Sequence, residues 1–447
     1  MAGPGIRYLW FARELARRGF EVTLVVPFAT DVASECFTVR VDNPWHASRM
    51  TPLARRHDVV VAQRLPVPTM LALARSGTRA LYDLYAPLTI EHAAYARHHQ
   101  EERPEFALDE LTLRVALESG DAFICASERQ RDLWLGALAA AGRVDPTAYA
   151  ADPSFQSLVA VVPFGIDPRP PASDRPALKG VIPGIQETDK VALWGGGIWN
   201  WLDPLTVIRA VHSLGRDDLR LVFLGTRAPN PAVPQMEMQQ RAFALARDLG
   251  LFGQTVFFND GWVPYDARGA YLLEADVGVS AHFDELETRF ALRTRLLDCI
   301  WAGLPMVTTT GDALAEVVLE HRLGQVVGYQ DVDGYAAALE DVLGRDPSNS
   351  LAAGFAEARR RFEWPEVVSA LAELIEASPK RHPAPRLSGL VSTARYGLLR
   401  GRIALDTRGL AGIGSQLGAA AARRARGDYA AHPRVRQGKD PEGDPLP

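Results

Sequence analysis

Cysteine is scarce in this 447-residue chain. Cys36, Cys125 and Cys299 are odd in number and far apart, which excludes a disulfide framework and a cysteine-built zinc site. No apolar run approaches the length of a bilayer-crossing helix and no signal peptide opens the sequence, so a cytoplasmic location is expected. Self-similarity at solenoid periods is missing. No Asp-x-Asp pair stands where it would hold a metal ion. The Gly-rich loop GGGIWN after Trp194 lacks G-x-G-x-x-G spacing, and no acidic residue follows the next strand at the right distance, which argues against a nicotinamide site. No base-reading motif is present, so nucleic acid is not an expected partner. What remains is 47% hydrophobic content, enough for the cores of two or three domains.

The richest stretch runs from Tyr271 to Val318. Val277, Val279 and Met306 to Thr309 read as buried strands with a helix, Leu292 to Ala302, between them, a βαβ unit. Leu292, Leu296, Cys299 and Ile300 share one arc of the helix, and Thr294, Arg295 and Asp298 another. Gly303 and Pro305 stop it. Ahead of it, His282 to Arg289 reads as a polar loop carrying Asp284, Glu285 and Glu287, where a ligand would meet free N–H groups of the helix N-terminus.

The run LLDCIWAGLPMVTTTGDALAEVV resembles the donor-site segment of the family-4 retaining glycosyltransferases of GT-B fold (glycosyl transferases group 1). The resemblance implies an α/β molecule of two Rossmann-like domains with parallel sheets and an interdomain cleft. Asp298 then takes the place of the second Glu of the family's E-x7-E pattern, the residue that holds the donor ribose. The first Glu does not align, since eight residues back lies Phe290, and Glu287 fills its role only in a reshaped loop. Arg293 and Arg295 are additions suited to a diphosphate. In the loop GGGIWNWLDP, Gly196, Gly197 and Asn200 occupy the family's phosphate-loop position, with Trp199 and Trp201 standing where it usually supplies Arg and Lys. The turn Gly261, Trp262, Val263 matches the segment that faces the nucleotide base.

The first half is read as MAGPG, a Gly-rich loop, followed by a helix to about Arg18 and the strand Val22 to Val26. Gly3 and Gly5 match the family's loop at the cleft. Polar residues past strand ends sit where parallel sheets bind ligands, which makes Asp83, Tyr85, Glu91 and His92 acceptor-side candidates; Asp83, His92 and Glu287 are taken as the catalytic set. Ser127 reads as a helix cap, and Asp145 to Phe155 as irregular. An apolar strand precedes the Gly loop in the family, so the resemblance also implies that the natural reading frame starts upstream of Met1.

The expected organisation is a first domain over 1–168, a linker over 169–185, the donor-binding domain over 186–362, a crossover helix over 363–379 and a basic tail over 380–447. That tail carries 13 Lys and Arg against 5 Asp and Glu, a net +8, which leaves −13 for residues 1–379. Its apolar interleaving (LSGLVSTARYGLLRGRIAL) suits an anionic membrane surface, and its Gly and Ala content equally suits a solubilising tail. The implied activity is metal-independent sugar transfer, with no cofactor beyond the nucleotide-sugar co-substrate. A UDP- or GDP-sugar donor and a glycan or lipid-linked acceptor are favoured, as in cell-envelope polysaccharide synthesis by a cytoplasmic enzyme peripheral to the membrane. A non-catalytic GT-B subunit and a nucleotide-sugar epimerase are the alternatives.

Overall fold

The computed structural model describes residues 3–63, 65–96, 103–226, 236–345, 351–377 and 389–406. The first half contains α1 (Gly3–Arg17), β1 (Thr23–Val26), β2 (Thr38–Val41), α2 (Ala47–Ala54), β3 (Val59–Ala62), α3 (Val67–Ser76), β4 (Arg79–Asp83), α4 (Leu88–Ala96), α5 (Arg103–Ser119), β5 (Ala122–Cys125), α6 (Glu128–Ala140), α7 (Pro146–Ala151) and β6 (Val159–Val161). The second contains β7 (Lys190–Gly197), α8 (Pro204–Leu214), β8 (Leu219–Gly225), α9 (Glu237–Asp248), β9 (Val256–Phe258), α10 (Arg268–Glu274), β10 (Val277–Ser280), α11 (Leu286–Phe290), α12 (Thr294–Ala302), β11 (Met306–Thr309), α13 (Ala313–Glu320), β12 (Gly324–Val327), α14 (Val332–Gly344), α15 (Leu351–Phe362) and α16 (Trp364–Ala377).

Strands such as AFIC, apolar at every position, and MVTT, which ends in two buried threonines, are buried throughout, the mark of parallel sheets covered by helices. The second half forms one six-stranded parallel sheet in the order β12-β11-β10-β7-β8-β9. The first half forms two parallel sheets, β1-β2 and β3-β4-β5-β6. Between the halves, the Glu274 carboxylate accepts the backbone N–H groups of Ala177, Leu178 and Lys179 at 2.6–2.9 Å, which pins the proline-rich connection to the end of α10. The chain then returns. Ile166 N–H donates to Phe362 O at 2.8 Å and its carbonyl accepts the Trp364 N–H at 3.0 Å, and α16 packs on α1, where Trp364 stacks on Trp10 with centroids 5.9 Å apart.

Three sequence expectations change. Gly3 and Gly5 lie in the first turn of α1 rather than in a loop, because Ile6, Leu9 and Trp10 bury the helix from its start. The loop His282 to Arg289 contains most of α11. Within the segment 145–155, α7 is capped by Asp145, whose carboxylate accepts from Thr147 and Ala148 N–H, with Pro146 at its first position.

The described residues up to Thr393 form one compact unit, and those from Ala394 to Asp406 fall in a second. In the expected tail, only 389–406 falls among the described residues. It is helical, with Leu390, Val391, Leu398 and Leu405 exposed. No helix among the described residues is long and apolar enough to cross a membrane.

Candidate active site

Parallel sheets present their strand ends, and the loops after them, along one edge, and here those edges meet at a cleft. A cavity of about 150 Å³ lies there, with Tyr85, Glu91 and Gln130 from the first half and Trp199, Glu287 and Arg293 from the second among its walls. That is smaller than the ~300 Å³ or more of a typical small-molecule pocket.

The floor is built by α11 and α12. Arg293 is the N-cap residue of α12, and no side chain caps the helix, whose Leu296 N–H turns back to the Arg293 carbonyl at 2.9 Å. Glu287 and Arg293, 2% and 8% exposed, hold each other in a fork, with Nη1 donating to Oε1 at 2.9 Å. Arg295 Nη2 donates to the Gly197 carbonyl at 2.7 Å while its guanidinium lies 4.8 Å over Trp194. Burial, with Arg293 beside it, pulls the Arg295 pKa down to about 9. Arg293 Nε and Arg295 Nη1 are buried and without a hydrogen-bond partner. A protein rarely leaves guanidinium donors unpaired, so two of them beside an uncapped helix N-terminus describe a place for an anion.

Above this floor, β7 ends in an irregularity between Trp194 and Gly197, with Gly196 in the left-handed region at φ 89°. Trp199 and Trp201 follow, both half-exposed, stacked parallel with centroids 5.5 Å apart. Asn200 faces elsewhere: its Oδ1 accepts the Met238 N–H at 3.1 Å, at the start of α9. Below the cleft, His282 is fully buried between Ser280 Oγ (3.1 Å) and Thr309 Oγ1 (2.9 Å), and burial holds its pKa well below the ordinary value, so it stays neutral.

The expected residues are thus only partly brought together. Glu287, Arg293, Thr294 and Arg295 line the cavity, and Gly197 touches Arg295. Asp298 lies further along α12, where Arg268 Nε donates to it at 2.9 Å and Arg268 is sandwiched between Tyr265 and Trp301 (3.5 and 4.2 Å). Burial raises the Asp298 carboxyl pKa and Arg268 counters it. Gly261, Trp262 and Val263 form a half-buried turn after β9, outside the cavity wall. Asp83 corrects the sequence reading. It is 1% exposed and locked to Arg7, whose Nε and Nη2 donate to it at 2.7 and 3.2 Å, so its charge serves the core. His92 Nδ1 contacts Asp109 at 2.8 Å, and its ring packs edge-on against Phe106, away from the cavity wall. Glu91, one turn into α4, is the acidic group of the first half that does reach the cavity. Burial, then the charge of Glu287, pushes its pKa up to about 7.

Gln130 was not foreseen. Its Nε2 donates to Tyr85 O at 2.8 Å and to Phe290 O at 2.7 Å, while Oε1 accepts Ala126 N–H at 2.7 Å. Beside it, Arg129 reaches Gly311 O and the Glu316 carboxylate. The first turn of α6 therefore ties the two halves together across the cleft. Its only sequence signal is the Ser127 cap that places it.

Residues 189–345 match the family model described as Glycosyl transferases group 1. Solved glycosyltransferase structures align with most of the chain. Sucrose-phosphate synthase from Thermosynechococcus elongatus aligns with TM-score 0.56 at 15% identity, covering 84% of this chain and 93% of that one. WaaG, a glycosyltransferase involved in lipopolysaccharide biosynthesis, aligns at 0.58 and 17%, covering 84% and 97%. The fold is GT-B. A curated D-inositol 3-phosphate glycosyltransferase from Xylanimonas cellulosilytica is 28% identical over 235 residues, 50% of this chain and 52% of its own length, so the chain spans about half of that relative. Anabaena HepE, solved with UDP and glucose, aligns at 0.58 with 12% identity over 84% of this chain and 97% of that one. In this GT-B molecule the cavity lies where the strand ends of the two halves face each other, and the group 1 match covers its α11 and α12 floor.

Proposed function

We propose that the chain is a retaining glycosyltransferase that moves a sugar from a nucleotide-sugar, UDP-linked by preference and GDP-linked otherwise, to a glycan or lipid-linked acceptor. The observation that carries the reading is the convergence of the uncapped α12 N-terminus with the unpartnered Arg293 Nε and Arg295 Nη1. A diphosphate leaving group develops negative charge as the glycosidic bond breaks, and preorganised cationic donors in a water-poor cleft stabilise that charge without reorganising. Because Arg293 is already neutralised by Glu287, Arg295 carries the larger share. Glu287 and Glu91 then remain to orient sugar hydroxyls, and binding both substrates in one cleft supplies proximity in place of a nucleophile. Asp298 holds the ribose if Arg268 yields one of its hydrogen bonds.

The likeness of the fold to UDP-bound HepE and the group 1 match over the cleft floor support this reading. The clamp is built from arginines and backbone N–H groups, so turnover is expected to survive EDTA. Loss of activity on chelation would contradict that.

The helix 389–406 places four exposed apolar side chains, Leu390, Val391, Leu398 and Leu405, at near-heptad spacing beside Arg395 and Arg402. That pattern suits the boundary of an anionic bilayer, where lipid-linked acceptors reside. Full-length protein should sediment with anionic liposomes, and Leu390→Asp with Leu398→Asp should abolish it. Unchanged sedimentation of that variant would remove the helix from the account.

A further inference from the structure

Gln130 borders the cavity, yet it is 1% exposed and its amide is spent on the protein. Its backbone N–H donates to the Ser127 cap at 3.2 Å while Oε1 accepts the Ala126 N–H at 2.7 Å, which fixes the amide at the start of α6. Both Nε2 protons are then committed, to Tyr85 O in the first half and to Phe290 O in the second. Phe290 ends α11 three residues ahead of Arg293, so its carbonyl is one that a helix end leaves without an intrahelical partner. Arg129 makes a second contact beside it, to Gly311 O and Glu316. The turn that receives Arg129 is itself held: Asp312 caps α13 through the Leu314 and Ala315 N–H groups, and a Cβ on Gly311, at φ 108°, would clash with the Tyr329 hydroxyl. The two contacts differ in kind. The Glu316 side chain is 65% exposed, so salt weakens its pair with Arg129, whereas the Gln130 bonds are neutral and dry.

We infer that Gln130 is a positioning residue: its amide latches the cleft in the closed arrangement as the resting state of the chain, and thereby keeps the unpartnered Arg293 Nε and Arg295 Nη1 turned to a cavity whose other wall is Tyr85 and Glu91. Were the latch released, α11 and both arginines would move off with the second half. The inference deepens the transferase reading and rests on it for what the anion is, but the latch is a property of the chain without ligand. Among isosteric side chains only an amide suits the place, because two carbonyls and one N–H meet there. A carboxylate has no proton for either carbonyl, and a protonated carboxyl has one. Glutamate at this position would face Glu91, Glu287 and Arg293 around the cavity, the Arg7–Asp83 pair behind the Tyr85 ring, and Glu128, Arg129 and Arg131 on α6 itself. Burial against two carbonyls favours its protonated form, so its effect on the latch depends on pH.

Small-angle X-ray scattering on the full chain tests the latch, and calorimetry with inorganic pyrophosphate tests what it holds in place. The parent's radius of gyration should stay the same with and without pyrophosphate, and in about 0.5 M NaCl, where the Arg129 pair is screened. Gln130→Met should be wider than the parent at every pH, whereas Gln130→Glu should be wider near pH ~8 and return toward the parent near pH ~5, each read against the parent at the same pH. With the closed form reduced to about one part in ten, pyrophosphate should bind about 10-fold more weakly. Gln130→Asn keeps the amide one methylene too short to reach both carbonyls, and should widen the chain as Gln130→Met does. Variants with the parent's radius at both pH values, a Gln130→Glu radius that ignores pH, or pyrophosphate affinity equal to that of a binding parent would each overturn the inference. So would a set of three that fails to fold in thermal melts, since Gln130 would then belong to the core. A parent that binds no pyrophosphate, with radii that change as described, would sink the anion site and the transferase reading with it and leave the latch standing.

Discussion

Arg293 and Glu287 hold each other inside the cleft, each almost removed from water. Removing one member of such a pair strands the other as a bare buried charge, which costs far more than the pair is worth. Arg293→Ala should therefore destabilise the protein by about 3–5 kcal/mol in urea unfolding, and adding Glu287→Gln should return part of that loss. If Arg293→Ala unfolds like the parent, the pairing is not what holds the floor of the cleft. Glu91 makes the pH prediction. Its carboxyl pKa is raised from the ordinary 4.5 to about 7, so the folded state binds its proton more tightly than the unfolded chain does. The stability linked to that proton is fully present below pH 4.5 and is lost as pH rises through about 7. Glu91→Gln should match the parent's melting temperature near pH ~4 and exceed it near pH ~8; curves that stay parallel would contradict the shift. Asp312, raised to about 6 by burial, adds a slope of the same sign that this variant keeps.

Elements were legible from sequence where burial or capping leaves a local mark. The short β-branched runs of β10 and β11 around the α12 pattern read as buried strands, Ser127 announced α6, and Gly303 with Pro305 announced the end of α12. The five-residue α11 is too short for a period to show, and the helical first turn of α1 overrides the loop preference of Gly3-Pro4-Gly5 because tertiary packing outweighs propensity. Pairings across the sequence were out of reach: Arg7 meets Asp83 from 76 residues away, and Gln130 meets Phe290 from 160, so Asp83 read as a site residue and Gln130 did not read at all. The return of α16 rests on a different local fact. At Gly165 a Cβ would stand 2.5 Å from the Trp364 ring, which is fully buried against Trp10, Phe11 and Phe164 of the first half. Gly165→Ala should cost about 1–3 kcal/mol by overpacking, measured as a lower urea midpoint with the slope unchanged. A neutral result would mean that the crossover yields readily.

Seen whole, the molecule sets a cationic, uncapped helix end and an aromatic platform around one small cavity, and joins its halves through the first turn of α6. The central claim is that this cleft binds and breaks a nucleotide-sugar at Arg295. The most direct measurement is nucleotide release from UDP- and GDP-sugars by the full chain in EDTA, comparing parent with Arg295→Gln. The parent should release nucleotide from at least one donor, and the variant, which loses charge-assisted hydrogen bonds worth about 1.5–3 kcal/mol, should be about 10- to 100-fold slower while remaining folded. No release from any donor, or equal release by the folded variant, would contradict the account.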